Sequence, residues 1–383
     1  MITAPISDLL LGICAVPSIY YALALVSSVK FFGTAPVTAK NGPFQPPVSI
    51  LKPVRGLDPD AYENFASFCT QDYPEYEILF CVGDSEDPEV ALIEQVISAF
   101  PQRKIRILFG SGRTAANDKV AKLVRLVEEA AYEYLVISDS DVRVEPDYLR
   151  RIVAPLADPK IGAVTCFYVP TKDTSWIQRL QDVGMLSDFY PGILVAKQLD
   201  GVKFALGPTI GTTRTRLQAF GGYAALENRP ADDLLVGRLI AHQGYEVELL
   251  PYSISTVPDY QSLRDLFHKR LRWITVMRHM RPWGHLGLIF TLGLPWALLA
   301  VAVRPTPAVA AVYLGGYALL RAAMTAVVGA WGLRQRGTWR KMLLVPVWDG
   351  LAFLIWLVSF TRRSIRWRGK NYLIRDGQLV PVP

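Results

Sequence analysis

Four long apolar runs constrain this chain more than any other feature of its sequence. They occupy residues 8–29, 284–303, 308–333 and 342–360. A helix that crosses the hydrocarbon core of a bilayer needs about 20 apolar residues, so each run has roughly the length of a span. Hydrophobic residues make up 51% of the chain and charged residues 20%, which agrees with a protein partly built into a membrane. We therefore expect a multi-pass membrane protein.

The first run is predicted to be an uncleaved membrane anchor. A signal peptide carries its positive charge before the apolar run and small residues at a cleavage site after it. Here the basic residues Lys30 and Lys40 follow the run. Because positive charge is retained on the cytosolic side, the N-terminus is expected outside and the following domain in the cytosol.

The three C-terminal runs do not give a consistent topology as complete spans. The segment from Arg304 to Pro307 joins the first two of them, which predicts a tight helical hairpin. If all four runs crossed the membrane, the basic segments 334–341 and 362–383 would lie on opposite sides, against the positive-inside rule. One run is therefore expected to be re-entrant or interfacial, and 342–360 is the weakest span because it contains a proline and an aspartate.

Two charged residues, Arg321 and Asp349, lie inside apolar runs. A charge at that depth is costly unless it faces protein or water. Two interpretations stay open: the residues pair with each other, or they mark a pocket for a lipid headgroup.

The net charge of +7 indicates where the protein binds. The basic residues crowd around the apolar runs of the C-terminal third, which favours a membrane surface over nucleic acid. Residues 261–283 combine apolar side chains at helical spacing with several arginines, a pattern typical of an amphipathic helix in the headgroup layer. The four cysteines lack the spacing of a metal site and are expected to be reduced core residues.

Residues 45–260 alternate short β-rich runs with amphipathic helical patterns. This alternation predicts an α/β domain with a mostly parallel central sheet covered on both faces. No G-x-G-x-x-G or G-x-x-x-x-G-K-[ST] motif occurs, which argues against dinucleotide-dependent oxidoreductases and P-loop nucleotidases. Strands are predicted at 48–53, 76–82, 105–109, 134–138 and 161–169, and helices at 58–69 (capped by Asp58), 88–100, 117–131 and 146–157.

Acidic residues follow two of these strands. Asp139 and Asp141 come directly after strand 134–138, and Asp84 ends strand 76–82. Side chains alternate along an extended chain, so Asp139 and Asp141 should project from one face and could hold Mg²⁺ or Mn²⁺ together with diphosphate oxygens. Ligands of such sheets bind beyond the carboxyl ends of the strands, where one crevice could hold all three carboxylates.

Further polar residues lie at the starts of helices. Asp232 and Asp233 open a helix, where they could complement its dipole or supply a general base for an alcohol acceptor. Lys119 begins the helix before the Asp139 strand and could reach a phosphate or remain a solvated charge. Arg272 and Trp273 lie on the amphipathic helix, where the arginine could neutralise a leaving diphosphate or attract anionic lipid.

In this order the motifs resemble those of a known family. The chain resembles the ceramide glucosyltransferases and related bacterial hopanoid-type lipid glycosyltransferases over nearly its whole length. That resemblance implies an inverting enzyme of GT-A fold that uses a UDP-sugar. The motifs that carry it are LKPVRGLDPDAYENFASFCTQDYPEYEILFCVGD, NDKVAKL, ISDSDVRV, PADDLLVGRLIAHQG and KRLRW.

The resemblance also implies roles for individual residues. Asp84 is expected near the uridine, Asp139 with the metal and diphosphate, and Asp233 as the catalytic base. Lys119, Arg272 and Trp273 are expected at the donor. The chain departs from the family pattern at Lys269, where Gln or Arg is usual, and at Asp232, Lys122 and Asp141, where Glu, Asn and Gly are frequent.

Several functions therefore stay open at this point. Transfer of glucose from UDP-glucose to ceramide is the leading expectation, and a hopanoid acceptor with UDP-N-acetylglucosamine is the first alternative. A processive polysaccharide synthase and a non-catalytic membrane scaffold are the others. The expected organisation is an anchor at 1–30, a cytosolic catalytic domain at 45–260, an interfacial helix at 261–283, membrane segments at 284–361 and a basic tail at 362–383.

Overall fold

The structure is a computed structural model that describes residues 4–34, 44–113, 115–172, 175–258, 262–367, 370–375 and 377–382. Lys40, which helped to orient the anchor above, lies outside the described residues.

An eight-stranded mixed sheet forms the centre of the α/β domain. Its strands are β1 (Val48–Pro53), β2 (Tyr76–Val82), β3 (Lys104–Phe109), β4 (Tyr134–Ser138), β5 (Val142–Arg143), β6 (Ile161–Pro170), β7 (Thr209–Thr213) and β8 (Glu246–Thr256). They lie in the order β3-β2-β1-β4-β7-β6-β8-β5. The pairs β1–β2, β1–β4, β2–β3 and β6–β8 are parallel, and β4–β7, β6–β7 and β5–β8 are antiparallel. The prediction of a mostly parallel central sheet is confirmed.

Helices cover both faces of this sheet, so β1 and β2 are buried at every position. The helices of the α/β domain and of the segment that follows it are α3 (Ala61–Cys69), α4 (Glu89–Ala99), α5 (Asp118–Glu129), α6 (Tyr148–Val153), α7 (Trp176–Gly184), α8 (Tyr190–Asp200), α9 (Arg214–Gln218), α10 (Asp232–His242) and α11 (Leu263–Met280). They are preceded by α1 (Ala4–Cys14) and α2 (Val16–Gly33). One turn of π-helix, Met185–Phe189, joins α7 to α8.

The helix predicted to begin at Asp58 begins instead at Ala61. Asp60, directly before it, has a left-handed backbone with φ of 56°, so the chain turns there. The Asp58 carboxylate accepts a hydrogen bond from the Ser140 hydroxyl, and the Asp58 N–H donates to Glu89 Oε1. The capping role predicted for Asp58 is therefore wrong, because its carboxylate contacts the loop after β4.

Three helical segments are long and apolar enough to cross a membrane in the described part of the chain: Ala4–Gly33, Pro307–Gly332 and Thr338–Ser359. The last two are built from α14 (Pro307–Ala310), α15 (Gly316–Thr325), α16 (Thr338–Lys341) and α17 (Val345–Ser359), together with short π and 3₁₀ segments. A fourth candidate is bent by 57° between Pro282–Thr291, which contains α12 (Pro282–Gly287), and α13 (Gly293–Val303).

The bend at Leu292 is held by a residue far away in the sequence. The Tyr21 hydroxyl donates to the Thr291 carbonyl at 2.9 Å and accepts the Gly293 N–H at 2.7 Å. These two bonds satisfy backbone groups that a broken helix would otherwise leave unpaired in the membrane. An added Cβ at Gly293 would lie 2.6 Å from the Tyr21 ring, so the close approach requires glycine.

Contacts at the helix ends show which ends lie together. Arg304 pairs with Asp8 at 2.5 Å, so the tight connection before α14 lies beside the start of α1. Lys341, the last residue of α16, pairs through Nζ with the buried Asp182 of α7 at 2.6 Å. After α17, the Arg362 carbonyl accepts a hydrogen bond from Arg278 of α11. Both ends of the α16–α17 segment therefore contact helices that adjoin the α/β domain.

Arg321 of α15 and Asp349 of α17 form a buried ion pair, as one of the two sequence interpretations expected. The Tyr317 hydroxyl donates to Asp349 Oδ2 at 2.7 Å, and the Arg321 guanidinium also donates to Ser187 in the π turn. Each charge is thus surrounded by partners, which is the condition for charges at that depth.

The basic tail folds into a small antiparallel sheet, which the sequence patterns did not predict. Its strands are β9 (Ser364–Trp367), β10 (Lys370–Arg375) and β11 (Gln378–Val382), in the order β11-β10-β9. The buried side chains of this C-terminal sheet pack against Val276 of α11, Ala116 and Ala231. Leu379 N–H donates to the Asn228 carbonyl at 2.7 Å, so the sheet also contacts the α/β domain directly.

Candidate active site

The candidate site lies where β1 and β4 end at the same edge of the sheet. Asp139 and Asp141 follow β4, and Lys52 lies near the end of β1 with its side chain fully buried. Lys52 Nζ donates to the Asp139 carbonyl at 2.9 Å and lies 3.6 Å from the centre of the Phe68 ring. Burial lowers the pKa of Lys52 to about 7, although nearby Asp139, Asp141 and Asp58 act in the opposite direction. The hydrogen bond from Lys52 therefore fixes the backbone of the loop at Asp139.

Lys119 joins two acidic segments. Asn117 caps α5 by accepting the Val120 N–H, which places Lys119 in the first turn. Lys119 Nζ lies 2.7 Å from Asp139 Oδ1 and 3.6 Å from Asp232 Oδ2. Burial alone would lower the pKa of Lys119, but the carboxylates around it raise that pKa above its ordinary value. The structure thus brings Lys119 together with Asp139, and the interpretation as a solvated charge is wrong because only 14% of its side chain is exposed.

Asp233 lies at the start of α10, directly after Ala231 and Asp232. Its Oδ1 accepts the Leu234 N–H at 2.8 Å. An added Cβ on Gly207 would lie 2.8 Å from Asp233 Oδ2, so the carboxylate is packed against that glycine. Burial and the neighbouring Asp232 raise the pKa of Asp233 to about 6, while Lys119 opposes the rise. A carboxylate with a pKa near 6 is ionised at neutral pH and basic enough to accept a proton.

Asp141 lies on the side of the site that faces α11. Burial, together with Asp139 and Asp58, raises the pKa of Asp141 to about 7. Lys269 of α11 and Lys52 lower it, so the Lys269 ammonium lies near this carboxylate. Helix α11 therefore brings a cation to the acidic loop, at the position where the chain departs from the family pattern.

Trp273 and Arg270 of α11 both contact the region of α7 and the π turn that follows it. Trp273 packs against Phe189 with ring centres 5.9 Å apart and is partly buried beside the core. Arg270 is buried, donates to Gln181 Oε1 at 2.9 Å, and lies 4.7 Å above the Trp273 ring. Arg270 therefore fixes α11 to α7, and Arg272 of the same helix is half-buried.

Asp84 lies at the same edge but further along the sheet. It follows β2, which is separated from β4 by β1, so about 10 Å of sheet lies between the two positions. Its carboxylate is exposed and accepts the Glu86 N–H at 2.9 Å. An extended nucleotide could reach from Asp84 to Asp139, whereas a single ion could not.

The loop that carries Asp139 and Asp141 would need further oxygen ligands from a bound substrate to hold a divalent cation. Within the ranges that the structure describes, no group of three or more His, Cys, Asp or Glu side chains is arranged to hold a metal. Burial and then repulsion from Asp139 raise the pKa of Asp141, and a cation would relieve that repulsion. Two carboxylates plus phosphate oxygens are an ordinary donor set for Mg²⁺ or Mn²⁺.

Four site residues could not be assigned from sequence patterns alone. Asp232 was expected at the start of a helix but not as a partner of Lys119, Lys269 was noticed only as a departure from a motif, and Arg270 only as part of a basic run. Lys52 gave no signal beyond its place in an apolar strand, where a lysine is unusual and therefore needs a partner.

A mixed sheet with an acidic edge that adjoins membrane-embedded helices is typical of membrane-attached glycosyltransferases of GT-A-like fold. The chain belongs to one family of these enzymes: the family model described as Glycosyl transferase family 21 matches residues 9–380. The resemblance to ceramide glucosyltransferases predicted from the sequence is confirmed.

Curated relatives share the family at low identity. Ceramide glucosyltransferase 1 of Caenorhabditis elegans is 24% identical over 328 residues, which cover 82% of this chain and 66% of that protein. Ceramide glucosyltransferase 3 of the same organism is 23% identical over 237 residues, covering 62% and 52%. The chain thus aligns with about half to two thirds of the length of these relatives.

Among solved structures, the mannosyltransferase PcManGT from Pyrobaculum calidifontis, determined in complex with GDP-Man and Mn²⁺, superimposes with a TM-score of 0.60. The match covers 91% of this chain and 99% of that one at 19% identity. This likeness confirms the expected fold.

Proposed function

We propose that this protein transfers a hexose from a UDP-sugar to the hydroxyl of a membrane lipid, with inversion at the anomeric carbon. UDP-glucose and ceramide are the leading pair, because the curated relatives are named ceramide glucosyltransferases. The observation that carries the proposal is the Lys119 ammonium between Asp139 and Asp232, next to Asp233. It connects an acidic donor edge to a buried carboxylate that can serve as a base.

The chemistry follows from the positions of the residues. Asp233 takes the proton of the acceptor hydroxyl as its oxygen bonds to the anomeric carbon. The bond from that carbon to the diphosphate oxygen breaks on the opposite face, and UDP leaves with the electron pair. Lys119 and Arg272 would balance the negative charge that grows on the diphosphate. Asp84 near the uridine and Trp273 of α11 complete the donor side.

A divalent cation, Mg²⁺ or Mn²⁺, would be held by Asp139 and Asp141 together with the diphosphate. When bound, it supplies charge stabilisation for the leaving group. Lys52 keeps the backbone of this loop in place, and Lys269 adds a positive charge beside Asp141.

We propose that the catalytic domain lies in the cytosol and that three segments cross the membrane. Asp8 and Arg304 form an ion pair, so we place both on the side of the membrane opposite the catalytic domain. The bent segment 282–303 is counted as one span. The α16–α17 segment then lies in the interface on the near side, because both of its ends contact helices adjoining the α/β domain. This arrangement puts both basic segments, 334–341 and the C-terminal sheet, on one side, in agreement with the positive-inside rule.

Product analysis tests the proposal. Membranes containing the protein are incubated with UDP-glucose or UDP-N-acetylglucosamine and with ceramide, a hopanoid or diacylglycerol, and products are identified by mass spectrometry. We expect one hexose per lipid. Long sugar chains would indicate a processive synthase, a hopanoid product would select the alternative acceptor, and no product with any pair would favour a scaffold.

The Asp233→Asn variant tests the role of the base in the same assay. We expect transfer to fall by about 10²–10⁴-fold, the usual contribution of a general base, with UDP binding retained. Asp200→Asn is the matched control. Asp200 is exposed at the end of α8 and forms an ion pair with the nearby Lys203. Full activity of Asp233→Asn would show that the base has been misassigned.

A further inference from the structure

A basic cavity lies between α11 and the C-terminal sheet, apart from the candidate active site. Its volume is about 600 Å³. It is lined by Arg278, His279, Arg363, Leu373, Ile374 and Arg375. The lining thus combines three guanidinium groups and an imidazole with two aliphatic side chains, and no described lining residue is acidic.

One of these guanidinium groups is held in place. Arg278 is half-buried and donates from Nη2 to the Arg362 carbonyl, which ties α11 to the residue before Arg363. Arg363 and Arg375 reach the cavity from two different parts of the C-terminal sheet region. Three separate segments therefore converge their positive charge on one space, which favours a ligand with a compact negative charge.

The chain directly after the cavity's helix has the composition of a membrane interface. Trp283 follows α11 within three residues and is 82% exposed, and Leu286 is 44% exposed. An exposed tryptophan beside apolar side chains is typical of the interface between lipid headgroups and hydrocarbon. The half-buried Leu373 gives the cavity an aliphatic wall beside its charges, as a lipid with a charged headgroup would require.

We propose that this cavity binds the phosphodiester headgroup of an anionic phospholipid. The proposal does not depend on the identity of the sugar or of the acceptor. Basic pockets at the cytosolic surface recognise such headgroups by charge, and the aliphatic wall distinguishes a lipid from free phosphate.

The cavity wall also contacts the candidate active site. Strand β10 supplies Tyr372, whose hydroxyl donates to the Ala116 carbonyl at 3.2 Å, and Ile374, which packs in one cluster with Ala231. Ala116 precedes Asn117, and Ala231 precedes Asp232. A headgroup that steadies β10 therefore steadies both segments that hold Lys119 and Asp233.

Lipid retention tests the proposal. The full chain is reconstituted in vesicles of phosphatidylcholine with phosphatidylglycerol as a minor component, and the lipids it retains are measured by native mass spectrometry. We expect the wild type to retain phosphatidylglycerol, with about fivefold weaker retention for each guanidinium removed in Arg278→Gln and Arg375→Gln. Arg340→Gln is the matched control, since Arg340 is exposed beside the membrane but outside the cavity.

Three outcomes would overturn the proposal. Retention of phosphatidylcholine and phosphatidylglycerol in proportion to their abundance would show that no charged headgroup is selected. Equal loss in Arg340→Gln would show a diffuse charge effect. Inorganic phosphate that protects the protein against thermal unfolding as well as phosphatidylglycerol does would identify a free phosphate site. Arg375→Gln keeps the test valid if Arg278→Gln does not fold, because Arg375 is exposed on β10.

Discussion

At the scale of single residues, Gly207 controls the candidate base. No residue with a Cβ fits at this position without a shift, since that atom would lie 2.8 Å from Asp233 Oδ2. We expect Gly207→Ala to displace the carboxylate and lower the transfer rate by about 10²-fold, the cost of a misplacement of about 1 Å. Initial rates with saturating donor measure the effect. Gly350→Ala is the control, because open space surrounds Gly350, and an equal loss in both variants would contradict the role of Gly207.

The pH dependence of the reaction should report Asp233. Its pKa is raised to about 6, so the base is ionised above that pH and protonated below it. We expect kcat/KM to fall tenfold per pH unit below about 6. Asp232→Asn removes a negative neighbour that raises this pKa, so the acid limb should move to lower pH. A limb that moves upwards, or stays in place, would contradict the assignment.

Glu89 predicts a pH effect on stability rather than on rate. Burial raises its pKa from 4.5 to about 8, and its Oε2 has no hydrogen-bond partner. The folded state keeps the Glu89 proton at pH values where the unfolded state has lost it. The contribution of Glu89 to stability is therefore fully present below about pH 4.5 and is lost as pH rises towards 8. We expect Glu89→Gln to flatten that decline. Unfolding temperatures of the detergent-solubilised protein at pH 5 and pH 8 provide the measurement, and an equal decline in the variant would count against it.

Sequence patterns located the residues of the site better than their partners. Asp139, Asp233 and Lys119 all lie where the strand and helix pattern put them, because carboxyl ends of parallel strands share an edge. The contacts of Lys52 with Asp139 and of Asp58 with Ser140 join segments that are distant in the sequence. Single-sequence patterns carry no information on such pairs.

At the scale of elements, the C-terminal sheet should support the active site. Ile374 is buried in the cluster that includes Ala231, whereas Val380 of the same sheet is 37% exposed. We expect Ile374→Asn to lower transfer more than tenfold, since a polar amide in this cluster costs several kcal/mol and loosens the segment before Asp232. Val380→Asn should remain close to wild type. Rates and unfolding temperatures of both variants check this, and equal activity would remove the supporting role.

The elements that the sequence did not predict share a physical cause. The break at Leu292 lies inside an apolar run whose composition fits a straight span, and it persists because Tyr21 satisfies the broken backbone. The C-terminal strands are short and basic, and they are stabilised by packing on Val276, Ala116 and Ala231. In both cases the stabilising partner is remote in the sequence.

At the scale of the whole molecule, the membrane helices and the catalytic domain form one structure. Asp182 of α7 binds Lys341 and Gln335, Arg270 joins α7 to α11, and Trp348 of α17 packs where a Cβ on Gly184 would lie 2.3 Å away. Helix α11, which carries the proposed donor residues Arg272 and Trp273, is therefore joined through α7 to the apolar C-terminal helices. An acceptor that remains in the bilayer could meet the donor without leaving the membrane.

The proposed topology can be tested by cysteine labelling in sealed vesicles. The four native cysteines are buried and give little background. Pro305→Cys, in the connection beside Asp8, should react with an impermeant maleimide only from the outside, whereas Gln378→Cys in β11 and Arg336→Cys should react only after the vesicles are opened. All three positions are exposed on the protein surface. If α17 crossed the membrane instead, Gln378→Cys and Arg336→Cys would be labelled from opposite sides. That result would force the C-terminal sheet away from Ala116 and Asn228, and with it the support proposed for Lys119 and Asp233.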